Sequence, residues 1–174
     1  SPALLFFYRQ MSTESLKTSI TNLIDPVLNA EGAELVDVEL EKHRNHKTLR
    51  LLIYKSDGVS IEDCRRVTKM LQPVLVVHQL LADDWSLEVA SPGLDRPLRT
   101  FGDFRRNCGQ PVTVDYIDHG QNRHLVGIVT GVANGVVSLQ SIPNNKTNSP
   151  KNHQEQIIDI QIADITKAKI ELIW

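Results

Sequence analysis

The sequence predicts an α+β protein: an α-β-β-α-β two-layer sandwich followed by a small five-stranded β-barrel. Three observations predict it. Helical and strand periodicities alternate up to residue 90, only short strand signals and turn dipeptides occur beyond residue 110, and a Pro- and Gly-rich segment separates the two regions. With 174 residues, 41% of them hydrophobic, the chain has enough apolar surface for one ordinary domain or two small ones and too much for a disordered polymer.

Residues 1–10, SPALLFFYRQ, differ in character from the rest of the chain. Their five-residue apolar run has no basic residue before it, unlike a signal peptide, and Met11 reads as a start. The expected division is a leader over 1–10, a sandwich over 11–92, a junction over 93–100 and a barrel over 101–174.

The first helix shows in Leu16, Ile20, Leu23, Ile24, Val27 and Leu28, which share one face. Ser12 or Thr13 caps it, Pro26 should kink it or end its regular part, and Gly32 stops it. In Val36-Asp37-Val38-Glu39-Leu40-Glu41 the alternation predicts a strand with its valines and leucine inward and its carboxylates outward. Leu49, Leu51 and Ile53 form the inward face of the next strand, and Arg50 on its outward face can offset the acidic stripe. Lys42 to Lys47 between them reads as a basic hairpin loop. Ser60 and Asp63 mark a capping box opening a second helix, whose buried face is Ile61, Cys64, Val67, Thr68, Leu71, Val74 and Leu75. Trp85 to Ala90 is a third strand, reached by a helical crossover and therefore parallel to the second.

In Ser91-Pro92-Gly93-Leu94-Asp95-Arg96-Pro97-Leu98-Arg99, Pro92-Gly93 suits the centre of a type II turn, with Gly93 at positive φ. A short helix is expected over Phe101 to Asn107, capped by Thr100 and stopped by Gly109. Strands are expected at 112–117, 125–132, 136–140, 157–162 and 170–174, with Asp118-His119-Gly120 and Ala133-Asn134-Gly135 as turns. Five short strands suggest a closed barrel. Pro143 to Gln154 reads as a long polar loop.

Charge and motifs exclude several classes of function. No apolar run reaches the ~18 residues of a membrane helix, so a soluble chain is expected. A net charge of −2 argues against coating nucleic acid by global charge. Two cysteines, Cys64 and Cys108, outside any CxxC, make no disulfide framework and suggest a reducing cytosol. No GxxxxGK[ST], HExxH or GxSxG occurs, and six scattered histidines lack paired ligands, so neither catalysis, cofactor, small-molecule substrate nor metal is expected. A hydrolase working through Cys64 or Cys108 is the enzymatic rival.

The run Leu87-Glu88-Val89-Ala90-Ser91-Pro92-Gly93-Leu94-Asp95-Arg96-Pro97-Leu98 closely resembles the signature of the RimP-type ribosome maturation factors, and Gly58-Val59-Ser60-Ile61-Glu62-Asp63-Cys64 resembles that family's entry to its second helix. The resemblance extends from Leu16 to the C-terminus. It implies a KH-like N-terminal fold and an SH3/Sm-like C-terminal barrel. It also implies a monomeric bacterial cytoplasmic protein that binds the immature small ribosomal subunit, through rRNA and a ribosomal protein near the decoding region, and assists its late assembly without catalysis. Three features depart from the pattern: Ala90 in place of a serine, Lys55 where an aliphatic-acidic pair is common, and the Asn-rich loop near Asn144.

Candidate binding residues fall in two groups. Arg96 and Arg99, with Arg105 and Arg106, place four guanidinium groups around the junction, suited to bidentate phosphate contact beside Ser91, Gly93 and Asp95. The plain alternative pairs Asp95 with Arg96 and leaves the prolines to stiffen the chain. Lys42, Arg44 and Lys47 of the basic hairpin either track a phosphate backbone or form a solvated loop. The acidic face of Asp37, Glu39, Glu41 and Glu88 either docks a basic protein or is simply solvated. A general RNA-binding module acting outside the ribosome is the non-enzymatic rival.

Overall fold

The structure, a computed structural model, describes residues 12–43, 46–142 and 156–171. The expected leader and the loop from Pro143 to Gln154 lie outside them. The chain divides after Pro92 into two compact units, each with its own apolar core.

The N-terminal unit runs α1 (Thr13–Ala30), β1 (Glu34–His43), β2 (His46–Tyr54), α2 (Ile61–Val77) and β3 (Trp85–Ala90). Helix α1 buries Leu16, Ile20, Ile24 and Leu28, four residues apart, on one stripe. Ser12 caps it by accepting the Ser15 amide at 3.2 Å. Pro26 neither ends nor shortens it. The helix continues to Ala30 and terminates at Gly32, whose φ of +67° lets the Ala33 amide reach back to the Leu28 carbonyl at 2.9 Å.

The three-stranded sheet has the order β1-β2-β3, with β1 antiparallel and β3 parallel to the central β2. Leu49, Leu51 and Ile53 of β2 are at most 1% exposed against both helices. The alternation read for β1 needs a correction at its start. A bulge between Leu35 and Asp37 leaves Val36 without a register partner, and Leu35 takes the inward position opposite Ile53. Ile61 is likewise outside the core, 75% exposed, because the inner side of the first turn of α2 is occupied by Asp63. Pro73 lies within α2, which continues to Val77.

Asp63 organises the edge of this unit. Its carboxylate accepts the Ser60 amide at 3.0 Å, the Ser60 hydroxyl at 2.8 Å, Lys55 Nζ at 3.0 Å and Arg66 Nη2 at 2.7 Å. Ser60 Oγ accepts the Asp63 amide in return, which completes the capping box. Arg66 then reaches Glu31 at the end of α1, 3.1 Å away. One carboxylate thus joins the ends of β2 and α1 to the start of α2.

The C-terminal unit contains α3 (Phe101–Arg106), β4 (Pro111–Asp118), β5 (Gln121–Ala133), β6 (Val136–Ser141), β7 (Ile157–Gln161), a 3-10 turn (Ile162–Asp164) and β8 (Ile165–Ile170). Both hairpin turns match the sequence reading: His119-Gly120 and Asn134-Gly135 each place two residues at positive φ, as two-residue connections of twisted strands require. Of the last strand expected at 170–174, residues 172–174 lie outside the described residues, and the last described strand is one the sequence pattern does not mark. It lies at Ile165–Ile170, where Ala168 pairs with Val114 and is 1% exposed. The alternation Lys-Ala-Lys conceals it, because its one fully inward side chain is only a methyl.

The sheet order is β7-β6-β5-β4-β8, with β7 and β8 at its two edges. A flat sheet would hold those edges ~19 Å apart, four strand spacings. The 3-10 turn joins Gln161 to Ile165 directly, a reach of at most ~14 Å. The sheet is therefore rolled. Among the described residues no ladder pairs β7 with β8, so the expected closed barrel is an open, rolled five-stranded sheet. Its strands pass closely enough that any side chain at Gly127 would meet the Gln140 carbonyl at 2.7 Å. Leu98 and Phe104 enter this core beside Val112, Val114, Val129 and Leu139.

The hydrogen bonds to Asp63 hold its carboxyl well below the usual carboxylate range, the Ser60 amide contributing most, then Lys55 and the Ser60 hydroxyl. With the folded pKa below the unfolded value of 3.8, the stabilisation is fully present above roughly pH 5 and drains away as the unfolded chain takes up the proton first. Urea unfolding of Asp63→Asn should show lower stability at pH 7 and a flatter decline from pH 5 to pH 2 than the parent. Parallel pH curves would show that the Asp63 charge contributes nothing.

Candidate functional site

The segment from Gly93 to Arg106 folds with the C-terminal unit. The Arg96 amide donates to the Gly93 carbonyl at 3.1 Å, which closes a turn with Leu94 and Asp95 at its centre. Gly93 itself is not at positive φ, and a Cβ there would meet nothing within 4 Å. The type II turn expected at Pro92-Gly93 is thus displaced along the chain, and its geometry does not require glycine. The Leu98 amide donates to the Ala168 carbonyl at 2.9 Å, pinning the segment to β8.

Asp103 does for α3 what Asp63 does for α2. It accepts the Arg99 amide at 3.0 Å and the Thr100 amide at 2.9 Å, while its own amide donates to Thr100 Oγ1 at 3.2 Å. Arg106 Nη2 lies 2.8 Å from its carboxylate, with both side chains under 10% exposed. Burial pushes the Asp103 carboxyl up, but the two amides, the Thr100 hydroxyl and Arg106 together outweigh it and hold it below its ordinary value. Gly102 makes room for this pair, since a Cβ there would sit 3.0 Å from the Arg106 guanidinium.

The four guanidinium groups that cluster in the sequence are therefore not equivalent. Arg106 is held by Asp103 with its side chain largely buried, as the i,i+3 spacing explains, and presents little of its guanidinium to solvent. Arg99 and Arg105 are exposed, as are Ser91, Gly93 and Asp95, and Arg96 is half-buried.

The basic hairpin also differs from expectation. Lys42 and Lys47 are not loop residues. They sit opposite each other in the β1–β2 register, so only residues 44–45 connect the strands. The Lys42 ammonium lies 5.7 Å from the centroid of the Trp85 ring, and Lys47 pairs with Asp84, holding that carboxyl below its ordinary value. Arg44 lies outside the described residues.

On the outer face of the same sheet, Arg50 stands among Glu41 at 2.5 Å, Glu88 at 3.2 Å and Glu39 at 3.5 Å. The Glu88 hydrogen bond and these three charges raise its pKa. With Asp37, the face carries an excess of three negative charges. Such a surface repels phosphate.

Cys64 is half-buried, and burial and then the neighbouring Asp63 charge push its thiol up, away from the reactive thiolate. Cys108 is exposed. Among the described residues no group of three or more His, Cys, Asp or Glu side chains is placed to hold a metal, and no helix is long and apolar enough to cross a membrane.

Residues 23–95 match the family model of the RimP N-terminal domain. Over these residues the N-terminal unit is similar to a RimP N-terminal domain. The match runs from the middle of α1 through the Arg50 face and the Asp63 network to Asp95. It bears out the resemblance to RimP-type ribosome maturation factors read from the helix entry and the junction. The match thus ends within the turn closed by the Arg96–Gly93 hydrogen bond.

Sequence reasoning identifies the cap residues Ser60, Asp63 and Thr100 but assigns no role to Asp103 or Lys55. The signal for Asp103 is present, because Thr100-Phe101-Gly102-Asp103 repeats the spacing of Ser60-Ile61-Glu62-Asp63. Asp103→Asn should destabilise the C-terminal unit by about 3 kcal/mol in denaturant unfolding, since it leaves Arg106 buried without its countercharge. A loss below about 0.5 kcal/mol would show that the pair is dispensable.

Proposed function

We propose that this protein is a non-catalytic ribosome maturation factor that binds the immature small ribosomal subunit and assists its late assembly. The observation that carries the reading is the match to the RimP N-terminal domain over residues 23–95, together with the Pro-Gly-Leu-Asp-Arg-Pro junction after β3. On this reading the N-terminal unit is a KH-like module and the rolled C-terminal sheet an SH3/Sm-like one. The protein acts as a cytoplasmic monomer, and residues 93–100 are the junction that carries its contact with the subunit.

The charge distribution supports a division of labour. Arg96 and Arg99, with Arg105, face rRNA phosphate or a ribosomal protein near the decoding region, while Ser91, Gly93 and Asp95 line the same stretch. The acidic face around Arg50 lies away from phosphate. Lys42 and Lys47 have a smaller part, because an aromatic ring and a carboxylate already engage them. Mechanistically, such a protein favours one conformation of maturing rRNA by binding it more tightly than the alternatives, and it leaves when that difference disappears.

Co-sedimentation of the purified protein with small subunits, large subunits and intact ribosomes at two salt concentrations tests the reading. Selective pelleting with small subunits is expected. Equal pelleting with all three, or none, would favour a general RNA-binding module acting outside the ribosome. Replacing both Arg96 and Arg99 by alanine should weaken subunit binding while thermal unfolding changes little. For each phosphate no longer neutralised, the salt slope of log K should fall by about 0.7–0.9. Unaltered binding would leave the junction only a structural role.

A further inference from the structure

Phe101 is the first residue of α3 and is 43% exposed, although Phe104 one turn on is fully buried and supplies the aromatic core of the unit. Arg105 stands four residues after Phe101, on the same side of the helix, and is exposed, as is Arg99 two residues before it. We infer that Phe101 is a stacking platform for an unpaired base of RNA, with Arg99 and Arg105 on the phosphates that flank it. This rests on the ribosomal reading above and deepens it by naming the chemistry recognised.

Three observations favour this occupant. The ring sits on an anchored scaffold: the Thr100 cap, the buried Asp103–Arg106 pair and the Leu98–Ala168 hydrogen bond fix both ends of the short helix. A platform held in place loses little side-chain freedom on binding. The charge is also of the right sign. Between Gly93 and Arg106 four arginines face two aspartates, an excess of two positive charges in a chain whose net charge is −2. A purely apolar partner would not need that surround. Finally, an exposed aromatic ring with exposed arginines two residues before and four residues after it fits a nucleotide with its base splayed out, whereas a base within a duplex keeps its faces covered.

The test uses the full chain with Phe101 replaced by Ala, Leu, Tyr or Trp. Stacking predicts that Ala and Leu lower small-subunit affinity about ten-fold and that Tyr retains it. Phe101→Ala should leave the salt slope unchanged, whereas Arg99→Ala or Arg105→Ala should reduce it by about 0.7. Indole emission of Phe101→Trp, corrected for the parent, should be quenched on titration with an unstructured oligouridine as well as with small subunits. Full affinity in Phe101→Leu would overturn the inference in favour of an apolar protein contact, and absence of quenching by either RNA would overturn it outright. Quenching by oligouridine without pelleting on subunits would sustain it while the ribosomal reading fails. Unchanged melting of each variant shows that binding, not folding, is being read.

Discussion

A buried aspartate at the third position of a helix is the interaction on which both units depend. Ser60-Ile-Glu-Asp63-Cys-Arg-Arg66 and Thr100-Phe-Gly-Asp103-Phe-Arg-Arg106 share one pattern. In each, the hydroxyl caps the aspartate amide, the aspartate accepts the cap amide, and the second arginine folds back onto the carboxylate. Cap and ion pair share one anion, so removing it releases several donors at once, among them backbone amides that helix geometry leaves without carbonyl partners. The two sites differ in reach. Asp63 gathers groups from β2 and α2 and, through Arg66, the end of α1. Asp103 gathers only its neighbours in sequence, and thereby gives a six-residue helix, too short to persist by itself, a defined orientation.

This arrangement changes the meaning of the basic residues. Lys55, which in the sequence is only a departure from the family pattern, is 3.0 Å from Asp63 and largely buried. Arg66 and Arg106 are held by carboxylates, Lys47 by Asp84 and Arg50 by three glutamates. A count of cations along the chain therefore overstates the surface available to phosphate. The arginine preceding each of these helix partners, Arg65 and Arg105, points outward because adjacent helical positions lie about 100° apart.

Much of the fold was legible because periodicity and caps report the same burial from two directions. Leu16, Ile20, Ile24 and Leu28 named the inner stripe of α1, and Ser60 with Asp63 named the start of α2. The β1 bulge was not legible, since Leu35 and Val36 are equally apolar and only strand pairing decides which faces inward. The last described strand escaped because its inward residue is an alanine between lysines. The site was legible as a region and not by residue. The sequence located the arginines around the junction, but Arg106 is removed from the surface by a partner three positions away. Gly93 opens the turn and does not sit at its centre, so no positive φ is asked of it.

On the proposed reading, an assembly factor must bind selectively and then leave, and the distribution of exposed groups suits both demands. A continuous basic surface would hold any RNA, because phosphate contacts carry no sequence information. Here an acidic sheet face works against indiscriminate binding, and a few exposed arginines supply a limited, salt-sensitive attraction. Affinity built from so few groups falls steeply when one of them is withdrawn. A rearrangement of rRNA that removes a single base or phosphate then suffices for release, without catalysis and without an energy source. The rigid aspartate-centred anchors matter for the same reason: discrimination between two rRNA conformations requires that the protein side of the contact stays fixed while the RNA changes.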